Sequence, residues 1–226
     1  MALVFLVWPQ SSQNFITAPG ERKTFALADG SSLNFNAHTT ATVTFERHAR
    51  RVKLIEGEAL FTVAKDPSRP FFVTTPHGVV RVTGTVFNVR ADAPQSEEVT
   101  VLEGTVQVAA RETVSMVAMH PGDQALLTGQ TPSVQTVSPE AIQRITAWRE
   151  GRVVFAAEPL RSALERVAWY HGRKIDISAK LDELTLGGQY DLEDLDALLE
   201  GIEQVHPIKV LRGANGEIRV VPRTSD

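Results

Sequence analysis

From residue 20 to about 137, apolar and polar positions alternate in short runs broken by turn residues, the two-residue period of strands with one buried face. In "KTFALADGSSLNF", Phe25 and Leu27 precede Asp29-Gly30, and Leu33 and Phe35 follow, which predicts a hairpin. "ATVTFERHARRVKLIEGEALFTV" repeats the scheme, with Val43 and Phe45 before the break and Val52 and Leu54 after it. Helical periodicity is scarce here, so residues 19–137 are expected to form an all-β sandwich or roll. Three runs within it look alike: "VKLIEGEALFTV", "VVRVTGTVFNV" and "VTVLEGTVQV", carrying Gly57, Gly84 and Gly104. Their separations of 27 and 20 residues are too uneven for a solenoid. Three strands are expected to bend or bulge at one level of a twisted sheet, where glycine permits it.

After the turn-rich "TGQTPSVQTVSPEA" the period changes. Ser138-Pro139-Glu140 opens a linker helix within 138–150 that carries Ile142, Ile145 and Trp148. Residues 151–226 read β-α-β-β-α-β-β. "EPLRSALERVAWYHG" is an amphipathic helix with Pro159 at its start, Leu160, Leu164 and Val167 on one face, and Gly172 at its stop. In "DLEDLDALLEGIEQVHP", Asp191 is the expected cap, Leu192, Leu195, Leu199 and Ile202 are the stripe, and Pro207 is the end. "IKVLR" and "EIRVV" should close as a hairpin across Gly213–Gly216. The fold class is therefore mainly β plus α+β, the second part a small module with two helices on one sheet face.

The opening "MALVFLVWPQSSQ" is apolar from Ala2 to Trp8, well short of the ~20 residues that span a bilayer. Trp8 before Pro9 has the character of an interfacial aromatic at a membrane-helix end. Residues 1–18 are read as the end of a truncated membrane helix and a linker.

Composition removes several functions. Of the 226 residues, those before Trp148 hold 12 Lys+Arg against 13 Asp+Glu, net −1, and the rest hold 11 against 14, net −3. Neither part is a basic reader of nucleic acid. The absence of cysteine excludes disulfides, thiol catalysis and thiolate metal sites. The histidines, His38, His48, His77, His120, His171 and His206, make no metal-ligand pattern, so no metal and no cofactor is expected. Nucleophile elbows and phosphate-binding glycine loops are missing too, which argues against a hydrolase on a β scaffold. Arg47, Arg50, Arg51 and Lys53 read as a solvated strand face. Asp191, Glu193, Asp194 and Asp196 read as a complement to a helix dipole. Trp148, Trp169 and Tyr170 read as packing residues, although adjacent Trp169 and Tyr170 cannot share one helix face.

Gly84-Thr85 allows chemistry. The Thr85 hydroxyl can attack the Gly84 carbonyl, turning the peptide into an ester that water then hydrolyses. Glycine tolerates the distorted backbone this needs, and the nucleophile is already tethered. Asn88, His77 and Asp92 are near enough in sequence to offer a base or an oxyanion donor. From the residues alone, Gly84 reads as a bend or bulge of the strand rather than a reactive bond.

The order of motifs carries a resemblance. "RKTFALADGSSLNFNAHTTATVTF", "RRVKLIEGEALFTVAKDPSRPFFVTT", "VRVTGTVFNV", "VTVLEGTVQV" and "HPGDQALL" together resemble the periplasmic domain of FecR-type anti-sigma regulators. "AWREGRVVFAAEPLRSALERV" is similar to that family's exit from the β domain. Residues 151–226 resemble the short N-terminal domain shared by secretins and TonB-dependent receptors. The resemblance implies a periplasmic sensor anchored in the inner membrane by an N-terminal helix. Its partners would be the signalling domain of a TonB-dependent outer-membrane receptor, often for a ferric siderophore, and an extracytoplasmic-function sigma factor. The sigma factor would be reached only through a cytoplasmic segment missing from the sequence as given. The resemblance also implies single-turnover self-cleavage at the Gly-Thr bond of "GTxFNV", here Gly84 and Thr85. Gly104-Thr105 lacks the following Phe-Asn and is expected to stay intact. An envelope structural or polymer-binding β protein without a sigma-factor role is the alternative.

Overall fold

The computed structural model describes residues 12–93, 96–111, 115–128 and 131–223. They form two compact units, one built on Arg22–Ile142 with the chain up to Thr17, the other on Gln143 onward with Ala18–Glu21. The expected membrane-helix end, residues 1–11, lies outside the described residues. Among those described, no helix is long and apolar enough to cross a membrane.

The first unit is built of strands. They are β1 (Ser12–Ile16), β2 (Lys23–Ala26), β3 (Ser32–Phe35), β4 (Thr40–Phe45), β5 (Arg50–Thr62), β6 (Phe71–Thr74) and β7 (Gly78–Val82). Then come β8 (Val86–Ala93), β9 (Ser96–Glu103), β10 (Val106–Ala110), β11 (Val117–Met119), β12 (Asp123–Leu127) and β13 (Ser133–Thr136). The Asp29-Gly30 hairpin forms, pairing β2 with β3. β1 occupies part of the stretch read from sequence as linker: Ser12–Ile16 pairs with β4. It is a polar edge strand held by one ring, Phe15 lying 4.8 Å from Phe25, so alternation alone gave it little weight.

Two layers result, ordered β1-β4-β5-β6-β7-β10-β11 and β2-β3-β5-β8-β9-β12-β13. They share β5, whose first half pairs with β4 and β6 and whose second half pairs with β3 and β8. The long strand bends at Gly57, φ +100°, where an added Cβ would stand 2.5 Å from Thr39 Cα. Alternating residues of both layers close the core: Phe61 stacks on Phe87 at 4.9 Å, with Phe35, Leu54, Phe71 and Val89 fully buried around them. All three similar runs change layer at their glycines. Gly84 lies between β7 and β8, and Gly104 between β9 and β10, each pair of strands belonging to different layers. The bend expected at one level holds for two of the three: Gly84 and Gly104 share a corner beside the Val86–Glu103 pair, whereas Gly57 pairs with Ala91 at the other end of β8.

Arg50 departs from the expected solvated face. Its side chain is fully buried, because period-two alternation places it with Val52 and Leu54. The guanidinium pairs with Asp29 at 2.7 Å, donates to Arg69 O and Ala64 O, and lies over Phe71. Arg51, one residue on, is half exposed and pairs with Glu46.

Helix α1 (Pro139–Thr146) and a 3-10 turn at Ala147–Glu150 lead into the second unit. Its order is β14 (Arg152–Pro159), α2 (Leu160–Tyr170), β15 (Ile175–Ile177), β16 (Thr185–Asp191), α3 (Leu195–Val205), β17 (Ile208–Arg212) and β18 (Ile218–Pro222), the expected β-α-β-β-α-β-β. The strands do not make one sheet. Among the described residues β14 pairs only with β16, while β15 pairs in parallel with β18, which pairs with β17. A bulge after Phe155, with Ala157 at φ 55°, twists the β14–β16 ribbon as bulges do. The α3 cap is Asp194, which accepts from Ala197 N at 3.0 Å. Asp191, the expected cap, instead closes the preceding turn by accepting from Glu193 N. Leu198, Leu199 and Ile202 form the buried stripe, with Leu192 buried just before the helix. Within this unit Gly20 N donates to Tyr170 O at 2.8 Å, and Tyr170 OH donates back to Gly20 O.

Candidate functional site

Three stretches of chain meet at the corner around Gly84: the loop after β5, the β7–β8 connection and the β9–β10 connection. The loop grips the connection by its backbone. Val63 N donates to Thr85 O at 2.9 Å and Asp66 N to Thr83 O at 2.8 Å. Between these fixed carbonyls Gly84 has φ +156°, a conformation L side chains rarely adopt. Space enforces glycine as well, since a Cβ there would stand 2.8 Å from Lys65 Cα.

Thr85 is buried, 5% exposed, and its Oγ1 finds no hydrogen-bond partner among the described residues. Leaving a buried hydroxyl unpaired costs about 1–3 kcal/mol. Such groups are rare in native proteins and point to strain or chemistry. No side-chain base is hydrogen-bonded to Oγ1 among the described residues.

The loop that grips Gly84 is itself tied down. Arg50 holds Ala64 O and Arg69 O from beneath. The Asp66 carboxylate accepts from the Ser68 hydroxyl and from Arg69 Nε, and these bonds hold its pKa at about 2. Asp29, the partner of Arg50, is pushed up by burial. Hydrogen bonds from Arg50 and Ser31 outweigh that, and its carboxyl lies below the usual range.

The residues nominated from sequence as helpers are placed elsewhere. Asn88 Nδ2 donates to Glu58 Oε1 across the β5–β8 pair, and Asn36 Nδ2 donates to Glu58 Oε2. Asn88 thus belongs to a buried polar cluster. His77 precedes β7, at the end of that strand far from Thr83, and its backbone N donates to Glu97 Oε1. The side chain of Asp92 lies outside the described residues. Glu97, 1% exposed, also accepts from the Thr75 hydroxyl. Burial pushes its carboxyl up, and these two bonds offset only part of that. No group of three metal-ligating side chains occurs among the described residues.

Sequence reasoning missed the neighbour of Gly84-Thr85, which is the second Gly-Thr dipeptide. A Cβ on Gly104 would stand 2.8 Å from Thr85 Cγ2 and 3.1 Å from Gly84 O. The signal was the repeated Gly-Thr dipeptide, since the β7–β8 and β9–β10 connections cross between the same two layers beside the paired Val86 and Glu103.

Residues 13–107 match the FecR protein family, a stretch that holds Gly57, Gly84, Thr85 and Gly104. The fold is similar to two crystal structures of a candidate anti-sigma factor from Parabacteroides distasonis ATCC 8503, at 1.65 and 2.50 Å resolution. Each has a TM-score of 0.79 at 26% identity, covering 94% and 95% of this chain and 100% of theirs. No curated protein matches.

Proposed function

From the FecR match over residues 13–107 and the likeness to a candidate anti-sigma factor, we propose that the chain is a FecR-type anti-sigma factor regulator, the periplasmic sensor part of a membrane-anchored protein, cut once by its own Thr85. The second unit would receive the signal from a TonB-dependent outer-membrane receptor, and an extracytoplasmic-function sigma factor would be the output. The observation that carries the self-cleavage is the buried, unpaired Thr85 hydroxyl beside a glycine at φ +156°. In the step, Thr85 Oγ1 bonds to the Gly84 carbonyl carbon, the Gly84–Thr85 C–N bond breaks, and the hydroxyl proton goes to the freed Thr85 nitrogen. Water then hydrolyses the ester, giving a Gly84 carboxylate and restoring the Thr85 hydroxyl on a new amino terminus. Tethering supplies the proximity, and the constrained backbone supplies distortion toward attack.

The cut falls between paired strands. β7 is held by β6 and β10, and β8 by β5 and β9, so the two products stay together in one folded unit. Receptor recognition would use strand addition. β15 and β17 are the outer strands of their sheet, and the β14–β16 ribbon has no third strand among the described residues. Titration of the chain with the signalling domain of its receptor, followed by calorimetry, tests this part. Saturable one-to-one binding supports the relay, and no heat at any ratio contradicts it. Denaturing mass measurement of the purified chain tests the cut.

A further inference from the structure

We propose that Gly104 is a positioning residue for the Thr85 hydroxyl. The inference rests on the self-cleavage reading and adds to it a residue twenty positions away from the bond. The Gly104 α-carbon lies so close to Thr85 that a Cβ would meet the Thr85 methyl at 2.8 Å and the Gly84 carbonyl oxygen at 3.1 Å. A threonine side chain has one free torsion, with methyl and hydroxyl on two of three staggered positions. Holding the methyl against the bare Gly104 backbone therefore fixes where Oγ1 points. A hydrogen bond accepted by Oγ1 would fix it equally well but would draw on a lone pair needed for attack. Packing on the methyl orients the hydroxyl and leaves it unpaired, which is the state of Oγ1 here. Gly104 has φ +81°, so its own corner between β9 and β10 suits glycine and delivers the flat surface. The second Gly-Thr dipeptide thus serves as the platform for the first. Its own Thr105 is exposed, unlike the enclosed Thr85.

The test follows fragment appearance after cell-free synthesis of the whole chain, by denaturing mass spectrometry at timed intervals. Four chains are compared: wild type, Gly104→Ala, Thr85→Ser, and the double variant. Gly104→Ala should cut about tenfold more slowly, the scale of an off-rotamer displacement. Thr85→Ser keeps a nucleophile but has no methyl to pin. Its hydroxyl spreads over three rotamers, and cutting slows by about threefold. In the double variant the added Cβ has no methyl to strike, so its rate should match Thr85→Ser within about twofold. The cost of placing alanine at φ +81° is present in Gly104→Ala and in the double variant alike, so recovery isolates the methyl contact. A double variant as slow as Gly104→Ala, or a Gly104→Ala chain cutting at the wild-type rate, overturns the role of Gly104 and leaves self-cleavage standing. Should Gly104→Ala not fold, Thr85→Ser still decides: a serine chain as fast as wild type overturns the proposal. An uncut wild-type chain overturns the self-cleavage reading, and this inference with it.

Discussion

Removing the Arg50 guanidinium should unfold the β unit far more easily than removing its neighbour's. Arg50 is fully buried, and its charge is neutralised by Asp29 at 2.7 Å. Arg50→Met keeps the apolar stem over Phe71. It leaves a buried carboxylate without its cation and the carbonyls of Ala64 and Arg69 without their donor. Breaking a buried pair from one side costs about 3–5 kcal/mol. The unit spans 138 residues, 17 up to Thr17 and 121 over Arg22–Ile142. At about 2.1 cal/mol/K of unfolding entropy per residue, that loss lowers the midpoint by about 10–17 °C. Arg51→Met is the control: Arg51 is half exposed and its pair with Glu46 is open to solvent, so its loss should stay under about 1 kcal/mol. Both are measured by scanning calorimetry in a Thr85→Ala background, where the chain is uncut. The pH dependence has a definite sign. The Asp29 carboxyl is raised by burial but lowered more by its Arg50 and Ser31 hydrogen bonds. A depressed carboxyl contributes stability above its unfolded pKa of about 4, lost as pH falls through the folded value. Arg50→Met should therefore flatten the loss of stability below about pH 4. Equal costs for the Arg50 and Arg51 variants would refute the burial argument.

Glu97 should give the opposite slope. Burial raises its carboxyl, so the folded state binds the proton more tightly and stability falls as pH rises from the ordinary carboxylate range through the raised value. Glu97→Gln should remove that decline in urea titrations run across pH, and an unchanged slope would contradict it. Gly57→Ala should cost about 3 kcal/mol or more, because its Cβ would stand 2.5 Å from Thr39 Cα at φ +100°. Gly122→Ala, at φ +93° with nothing nearer than 3.9 Å, should cost only about 1 kcal/mol; denaturation midpoints that fail to separate the two would count against the corner geometry. Asp194→Ala should weaken the second unit by about 1 kcal/mol through loss of the α3 cap. Asp191→Ala should cost less, and the reverse order would restore Asp191 as the cap.

Much of the fold was legible because period-two alternation and turn chemistry agree over most of the β unit. The Asp29-Gly30 and Gly213–Gly216 hairpins, the β4–β5 pair and the helices α2 and α3 could be read directly from residues. Arg50 was misread although alternation had the answer: two positions before Val52, it shares the inward face, and charge type was allowed to outweigh register. The cap at Asp194 was missed because four acidic residues in six positions each suit a helix start, and only geometry chooses among them. The division of the second unit into two sheets depends on a bulge and on long-range pairing of β15 with β18, neither of which leaves a local pattern. At the site, Gly84 and Thr85 were found from sequence, and their meeting with Lys65 and Gly104 was not. Contacts among three separate crossings are set by how the layers close.

The most direct test is the intact mass of the purified chain under denaturing conditions, beside Thr85→Ala. Two species, residues 1–84 and 85–226, from the wild-type chain and one uncut species from the variant are expected, with both wild-type fragments eluting together under native conditions. A wild-type chain of full mass, or a Thr85→Ala chain cut at the same bond, would contradict self-cleavage by Thr85 and leave the Gly84 corner a structural bend.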